Sequence, residues 1–203
     1  MNRYARTVLY IALTFQATWV ILNTLVLHRS PGLDIVGVVV LATFTAFAAL
    51  QSLPRWRWLD VAVRTLMAAD FLLAVSDRFG ALGAPGASGV SWGDFAHFID
   101  NTRSTTSFLP GSFAATLAVA ATVIEIVLGV ALLLGTRLEL TASAATLLLS
   151  VYGTSMVISR PVAEVFHYNV FVLAAGMWSL AATSRPAAVK PVDRPALVVP
   201  IRS

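Results

Sequence analysis

Residues 113–134 read FAATLAVAATVIEIVLGVALLL and decide the fold of this 203-residue chain. The stretch carries one charged side chain, Glu125, among residues that are otherwise apolar, small or weakly polar. An α-helix rises about 1.5 Å per residue, so roughly 20 such residues cross the hydrocarbon core of a membrane. The stretch therefore predicts a transmembrane helix.

Five further stretches of similar character are bounded by charged residues or by proline, and none of the nine prolines falls inside one. The pattern predicts an all-α fold, a polytopic membrane bundle of about six transmembrane helices. These helices are expected at residues 7–27, 34–53, 58–75, 113–134, 140–158 and 165–182. The composition agrees, because 58% of the residues are hydrophobic and only 12% are charged, whereas about a quarter of the residues in an average soluble domain are charged.

The stretches divide the chain into three predicted parts. Residues 1–57 hold two N-terminal helices, residues 58–183 hold a four-helix membrane unit with a long outer loop at 76–112, and the proline-rich residues 184–203 form a disordered cytoplasmic tail. Within the loop, Ser91 is expected to cap a short helix that carries Trp92, Phe95 and Phe98 on one face. This helix either lies over the bundle at the outer surface or fills a gap between the helices.

The distribution of Lys and Arg predicts the orientation, because short basic loops stay in the cytoplasm. With both termini inside, the cytoplasmic set is Arg3, Arg6, Arg55, Arg57, Arg137, Arg185, Lys190, Arg194 and Arg202, and the outer set is Arg29, Arg78, Arg103 and Arg160. The first apolar stretch is longer than a signal peptide core, so we expect it to remain as the first helix.

Several chemistries are excluded or disfavoured by composition. The chain has no cysteine, which excludes disulfides, thiolate metal sites and dithiol redox chemistry by the chain itself. Its three histidines do not stand four residues apart on one helix, so no helical metal site is expected. The net charge of +4 is spread over loops and ends, which favours membrane lipids over nucleic acid as partners.

Ionisable residues within the apolar stretches are the strongest functional signal, because a charge in hydrocarbon needs a partner, water or a function. Glu125 lies near the middle of the fourth stretch, and Asp70 and Arg64 lie in the third. Asp60 and Arg64 are four residues apart and are expected to neutralise each other in part. Arg64 is also the expected partner of Glu125. The pair either fixes helix register or handles protons or a ligand head group.

A second polar group stands at the start of the sixth stretch, where His167 follows Glu164 by three residues. It either binds a ligand head group or lies in the membrane interface. The predicted ligand-binding or buried polar cluster is therefore Arg64, Asp70, Glu125 and His167, with no catalytic residue assigned and no metal.

From residue 58 to about 182 the sequence resembles the DoxX family of small bacterial and archaeal membrane proteins. The resemblance rests on Arg64 with Phe71 seven residues later, on the segment Ser76-Asp-Arg78-Phe-Gly80, and on the pattern Glu125-x-x-x-Gly129-x-x-x-x-x-Gly135. It implies a four-helix unit, here with two added helices, in a bacterial cell membrane. It also implies an accessory subunit of a redox or stress-response complex, with partner proteins and a quinone as ligand.

Two other functions stay open on the residues alone. The lack of cysteine, metal ligands and a nucleophile is typical of a non-catalytic scaffold that anchors partner proteins. A small-molecule transporter is less favoured, because the apolar stretches show neither proline breaks nor an inverted repeat.

Overall fold

The computed structural model describes residues 3–28, 35–50 and 58–184, and over these residues the chain is all-α, as predicted. The helices are α1 (Arg3–Ile21), α2 (Ile35–Leu50), α3 (Trp58–Arg78), α4 (Phe95–Thr105), α5 (Ala114–Leu134), α6 (Leu138–Ser159), α7 (Val162–His167) and α8 (Val170–Thr183). A π-helical turn, Leu22–Val26, extends α1, and a 3-10 turn, Gly111–Phe113, precedes α5. The predicted tail beyond Ser184 lies outside the described residues, as do several basic residues used to predict the orientation.

Within the part of the chain that the structure describes, three helical segments are long and apolar enough to cross a membrane: Arg3–Val26, Gly111–Leu134 and Leu138–Ser159. Two more, Gly37–Leu50 and Val170–Thr183, are apolar but shorter. Helix α3 has the length but carries five charged side chains. The architecture is that of a helical membrane bundle, while the number of six crossings stays a prediction.

Helix α8 lies at the centre of the bundle and packs against α1, α2, α3 and α6. Ten of its residues are buried, from Val170 to Ala181. A helix that is apolar all round is stable only when neighbours surround it, which explains why α8 forms the core although its 14 residues span only about 21 Å. Since Leu9 of α1, Phe44 of α2 and Met67 of α3 belong to this core, the N-terminal helices and the remaining helices share it.

Gly176 of α8 packs directly against the ring of Phe44 of α2. A Cβ atom on Gly176 would lie 1.8 Å from Cε1 of Phe44, which is itself fully buried. The phenyl ring therefore occupies the space that a side chain at position 176 would need.

The predicted sixth stretch, 165–182, is not one continuous helix. Helix α7 ends at His167, and Asn169 has a left-handed backbone with φ of 52° before α8 begins. A non-glycine residue in this region interrupts the helical hydrogen bonds. Asparagine is one of the few residues that adopts this conformation readily. The apolar pattern of residues 165–182 did not predict the break at Asn169.

The short helix of the outer loop exists but starts later than predicted. Its cap is Asp94 and not Ser91, because Asp94 Oδ1 accepts the backbone N–H of His97 at 2.8 Å. This hydrogen bond, together with that from the His97 ring, holds the pKa of Asp94 below its usual range. Residues 91–105, which comprise α4 and the short segment with Trp92 before it, are called the lid below.

Helices α5 and α6 are joined by a tight turn at what we call the basal end of the bundle, where α8 also ends at Thr183. Gly135 has φ of 69°, and Thr136 N–H donates to Ala131 O at 3.1 Å while Gly135 N–H donates to Leu132 O at 3.1 Å. This is the pair of hydrogen bonds that closes a helix through a left-handed glycine. The turn makes α5 and α6 antiparallel neighbours.

Replacing Gly176 by alanine should destabilise the core by roughly 1–3 kcal/mol, because the new methyl group must displace the Phe44 ring. The measurement is thermal unfolding of the detergent-solubilised protein followed by tryptophan fluorescence. Gly111→Ala is the matched control, because the nearest atom to its new methyl group would be 3.7 Å away on Arg103. Adding Phe44→Leu to Gly176→Ala should recover part of the loss, and equal stability of the two glycine variants would contradict the packing.

Candidate functional site

The carboxylate of Glu125 is bound by Arg78 in the interior of the bundle. Arg78 Nη2 donates to Glu125 Oε2 at 2.6 Å, and both side chains are 2% exposed. The prediction that Arg64 would be the partner is therefore wrong, as is the placement of Arg78 in the outer loop. Helix α3 continues three residues past its predicted end at 75, which brings Arg78 into the bundle at the level of Glu125.

Two hydroxyl groups complete this arrangement. Tyr152 of α6 donates its O–H to Glu125 Oε1 at 2.6 Å, and Arg78 Nη1 donates to Thr122 Oγ1 at 2.9 Å. Thr122 in turn donates to Ala118 O. Arg78, Thr122, Glu125 and Tyr152 are called the Glu125 cluster below. Both carboxylate oxygens are hydrogen-bonded, which offsets much of the cost of burying a charge.

Arg78 nevertheless keeps one buried group without a hydrogen-bond acceptor, its Nε–H. The guanidinium carbon lies 3.7 Å from the centre of the Phe98 ring and 5.2 Å from that of Trp92. These two rings meet edge to face at 5.0 Å. The lid thus covers the cation with aromatic rings, an arrangement that stabilises a guanidinium. The lid lies over the bundle and also fills the space above the cluster, so it combines the two alternatives predicted for this helix.

Asp77, the neighbour of Arg78, holds the start of the lid. Its carboxylate accepts the backbone N–H groups of Ser91, Trp92 and Gly93 at 2.9, 3.0 and 3.3 Å. Gly93 has φ of 72°, and a Cβ there would lie 2.4 Å from Pro85 N, so only glycine fits. Two adjacent residues of α3 therefore have different roles: Arg78 binds Glu125, and Asp77 holds the start of the lid above it.

Arg64 lies at the C-terminal end of α5, away from the cluster near the middle of that helix. Its Nη1 donates to Leu132 O and Leu133 O at 3.3 and 3.4 Å, and it occupies the space beside Gly135, where a Cβ would lie 2.0 Å away. A cation at a helix C-terminus is favourable, because the last carbonyls have no partner in the helix. Arg64 thus caps α5 about 10 Å along the helix from Glu125.

The other two predicted site residues lie elsewhere. Asp70 is half-buried on α3, and His167 is exposed at the end of α7, where its ring contacts Tyr168 at 4.9 Å between centroids. Beside His167, Arg160 binds Glu164 at 3.2 Å and Asn101 Oδ1 at 2.6 Å, which ties α7 to the lid. The ligand-binding roles of Asp70 and His167 stay predictions.

Four residues of the site were not predicted: Arg78, Thr122, Tyr152 and Phe98 as a partner of Arg78. Thr122 stands three residues before Glu125 and therefore on the same helix face, and Tyr152 is the one tyrosine in the apolar α6, so both left a signal in the sequence. Among the described residues, no three histidine or acidic side chains are grouped so that they could hold a metal ion.

No family model, curated protein or solved structure is similar enough to this chain to match it. The resemblance to the DoxX family therefore stays a prediction.

Replacing Arg78 alone by methionine should cost about 3–5 kcal/mol, because it leaves the Glu125 carboxylate buried without its cation. The double variant Arg78→Met with Glu125→Leu should lose less, since neither charge is then buried. Unfolding of the purified protein by denaturing detergent, measured for both single variants and the double variant, gives the interaction energy. Losses that simply add would show that the two groups do not act as a pair.

Removing the acceptor in Asp77→Ala should release the start of the lid, because three backbone N–H groups lose a charged acceptor. Each such hydrogen bond contributes about 1.5–3 kcal/mol, so amide hydrogen exchange at residues 91–93 should rise by about tenfold or more. Asp100→Ala is the control, since Asp100 is exposed and pairs with Arg103 within the lid. Unchanged exchange at 91–93 in Asp77→Ala would refute the anchoring role.

Proposed function

We propose that this chain is a membrane-embedded accessory subunit of a redox or stress-response complex, and that the Glu125 cluster binds the ring of a quinone. The DoxX resemblance of the sequence supports the first part. The second part is carried by one observation, the Tyr152–Glu125–Arg78 network with its buried and unpaired Arg78 Nε–H.

The chemistry of the cluster matches the two redox forms of a quinone. Glu125 already accepts a hydrogen bond from a phenol, that of Tyr152, and a hydroquinone carries the same kind of hydroxyl group. Arg78 Nε–H supplies a donor for a quinone carbonyl oxygen. A buried donor without an acceptor is costly, so a carbonyl oxygen at this position would stabilise the cluster.

The lid supplies a fitting environment for a flat ring. Phe98 and Trp92 present aromatic rings next to the guanidinium, and a further flat ring pairs favourably with such rings when the ring centroids are about 4.5–7 Å apart. Phe98 is 6% exposed, so a ring enters only when the lid moves. In this proposal the chain binds and orients the ring, and the partner proteins of the complex supply and remove electrons.

A second candidate is a scaffold without a ligand. The outer face of the lid favours it, because His97, Asp100 and Arg103 are more than half exposed there and present charges to a protein partner. In that case the Glu125 cluster serves only to hold the lid in place.

Binding of decylubiquinone and its reduced form to the protein in nanodiscs, followed by quenching of tryptophan fluorescence, separates the two candidates. Glu125→Gln should weaken binding of the reduced form about tenfold or more, because a charged acceptor is lost. Tyr152→Phe should instead tighten it, since the tyrosine hydroxyl no longer competes for Glu125. Arg64→Gln, at the C-terminal end of α5, is the control and should leave binding unchanged.

Absence of saturable quenching in the wild-type protein, or the same affinity in Glu125→Gln and Arg64→Gln, would refute the quinone site. Recovery of stoichiometric partner proteins from native membranes would then support the scaffold.

A further inference from the structure

A lateral crevice runs along the side of the bundle, away from the Glu125 cluster. It lies between α1 and α6, has α8 as its floor and encloses a volume of about 460 Å³. Its walls include Val8, Ala12 and Phe15 of α1, Thr146 of α6 and Trp178 of α8.

The crevice exists because α1 is fastened to α7 and α8 at two levels. Ser179 Oγ donates to Ala5 O at 3.0 Å near one end, and Gln16 Nε2 donates to Phe166 O at 2.8 Å near the other. Trp19 also stacks on Phe166 at 4.7 Å between centroids. Between these two levels α1 follows α8 and leaves a gap in front of α6.

An occupant of the crevice must be apolar. The two hydroxyl groups in the α6 wall already donate to carbonyl oxygens of their own helix, Thr146 to Ala142 O and Ser150 to Thr146 O, both at 2.8 Å. The large side chains of the α1 wall are left uncovered, with Ile11 50% and Phe15 64% exposed. The two hydroxyl groups therefore need no polar ligand, and the exposed apolar side chains favour a hydrocarbon.

A shallow hollow of about 390 Å³ lies at the basal end of the same face of α6. It is lined by the polar residues Arg137, Glu139, Ser143 and Ser184 and by the apolar residues Leu138 and Leu140. Glu139, Ser143, Thr146 and Ser150 follow one another at one-turn spacing along α6, so the hollow continues the line of the crevice. Together they offer an apolar channel that ends in a group of charges and hydroxyls.

We infer that this channel binds one phospholipid, with an acyl chain in the crevice and the head group in the hollow. From Val8 to Gln16 the crevice wall rises roughly 12 Å, which is close to the depth of one leaflet, half of about 30 Å. Both flanking helices belong to the segments long and apolar enough to cross a membrane. Arg137 supplies the cation for the phosphate of the head group.

Titration of the delipidated protein with phosphatidylethanolamine and with phosphatidylglycerol, followed by native mass spectrometry, tests the site. Ala12→Phe fills the crevice and should weaken phosphatidylethanolamine binding about tenfold or more. The matched control is Ala120→Phe, since Ala120 is exposed on α5 and outside the crevice. Wild-type protein should bind both lipids saturably, because both carry the phosphate group that Arg137 would bind.

Two surface variants keep the test decisive if Ala12→Phe does not fold. Arg137→Gln should weaken binding roughly tenfold through loss of a charged hydrogen bond, whereas Arg103→Gln in the lid should not. Phe15→Ala removes an exposed part of the wall and should also weaken binding. Equal affinity of these variants and their controls would overturn the inference. A dimer that forms in the wild-type protein and is lost in Ala12→Phe would also overturn it, because a second copy of the chain would then cover the crevice. None of these residues belongs to the Glu125 cluster, so failure here leaves the quinone proposal standing.

Discussion

A carboxylate buried among apolar helices must be given a cation and hydrogen-bond donors, and in this bundle Arg78 and Tyr152 provide them to Glu125 at 2.6 Å each. Much of the surrounding architecture serves that requirement. Arg78 reaches the interior because α3 is long enough, and Phe98 covers its guanidinium from the lid. Removing either Arg78 or Glu125 would leave the other charge in a medium that solvates it poorly. Because Tyr152 and the lid also contact this ion pair, the cluster links the lid, α3, α5 and α6.

The same requirement fixes how α3 and α5 lie against each other. Along the two antiparallel helices, Arg78 meets Glu125, Leu72 meets Gly129, where a Cβ would lie 2.9 Å from its side chain, and Arg64 meets Gly135. The pattern Glu125, Gly129 and Gly135 therefore marks the positions where α5 contacts α3. The glutamate sets the level by charge, the middle glycine allows close approach, and the last glycine leaves room for the guanidinium that caps α5.

Helix α6 separates two regions with different chemistry. On one side Tyr152 reaches the Glu125 cluster, which is closed, polar and covered by the lid. On the other side Thr146 and Ser150 turn their hydroxyls back to their own helix and leave an apolar wall toward α1. The first region is where we propose that a quinone ring binds. The second, which is open to the side, is where we infer that an acyl chain lies.

The amino-acid sequence alone established the helical class, the long apolar segments and the presence of a charge that must be buried, because hydrophobic runs and their length depend only on local composition. Through the resemblance to the DoxX family it also offered Glu125, Gly129 and Gly135 as one sequence pattern. That Arg78 and not Arg64 pairs with Glu125, and that Asn169 breaks the last helix, became visible only in the three-dimensional arrangement. Periodicity fixes which residues share a face of their own helix, whereas the register between helices and the left-handed turn at Asn169 arise from packing against neighbours distant in the chain.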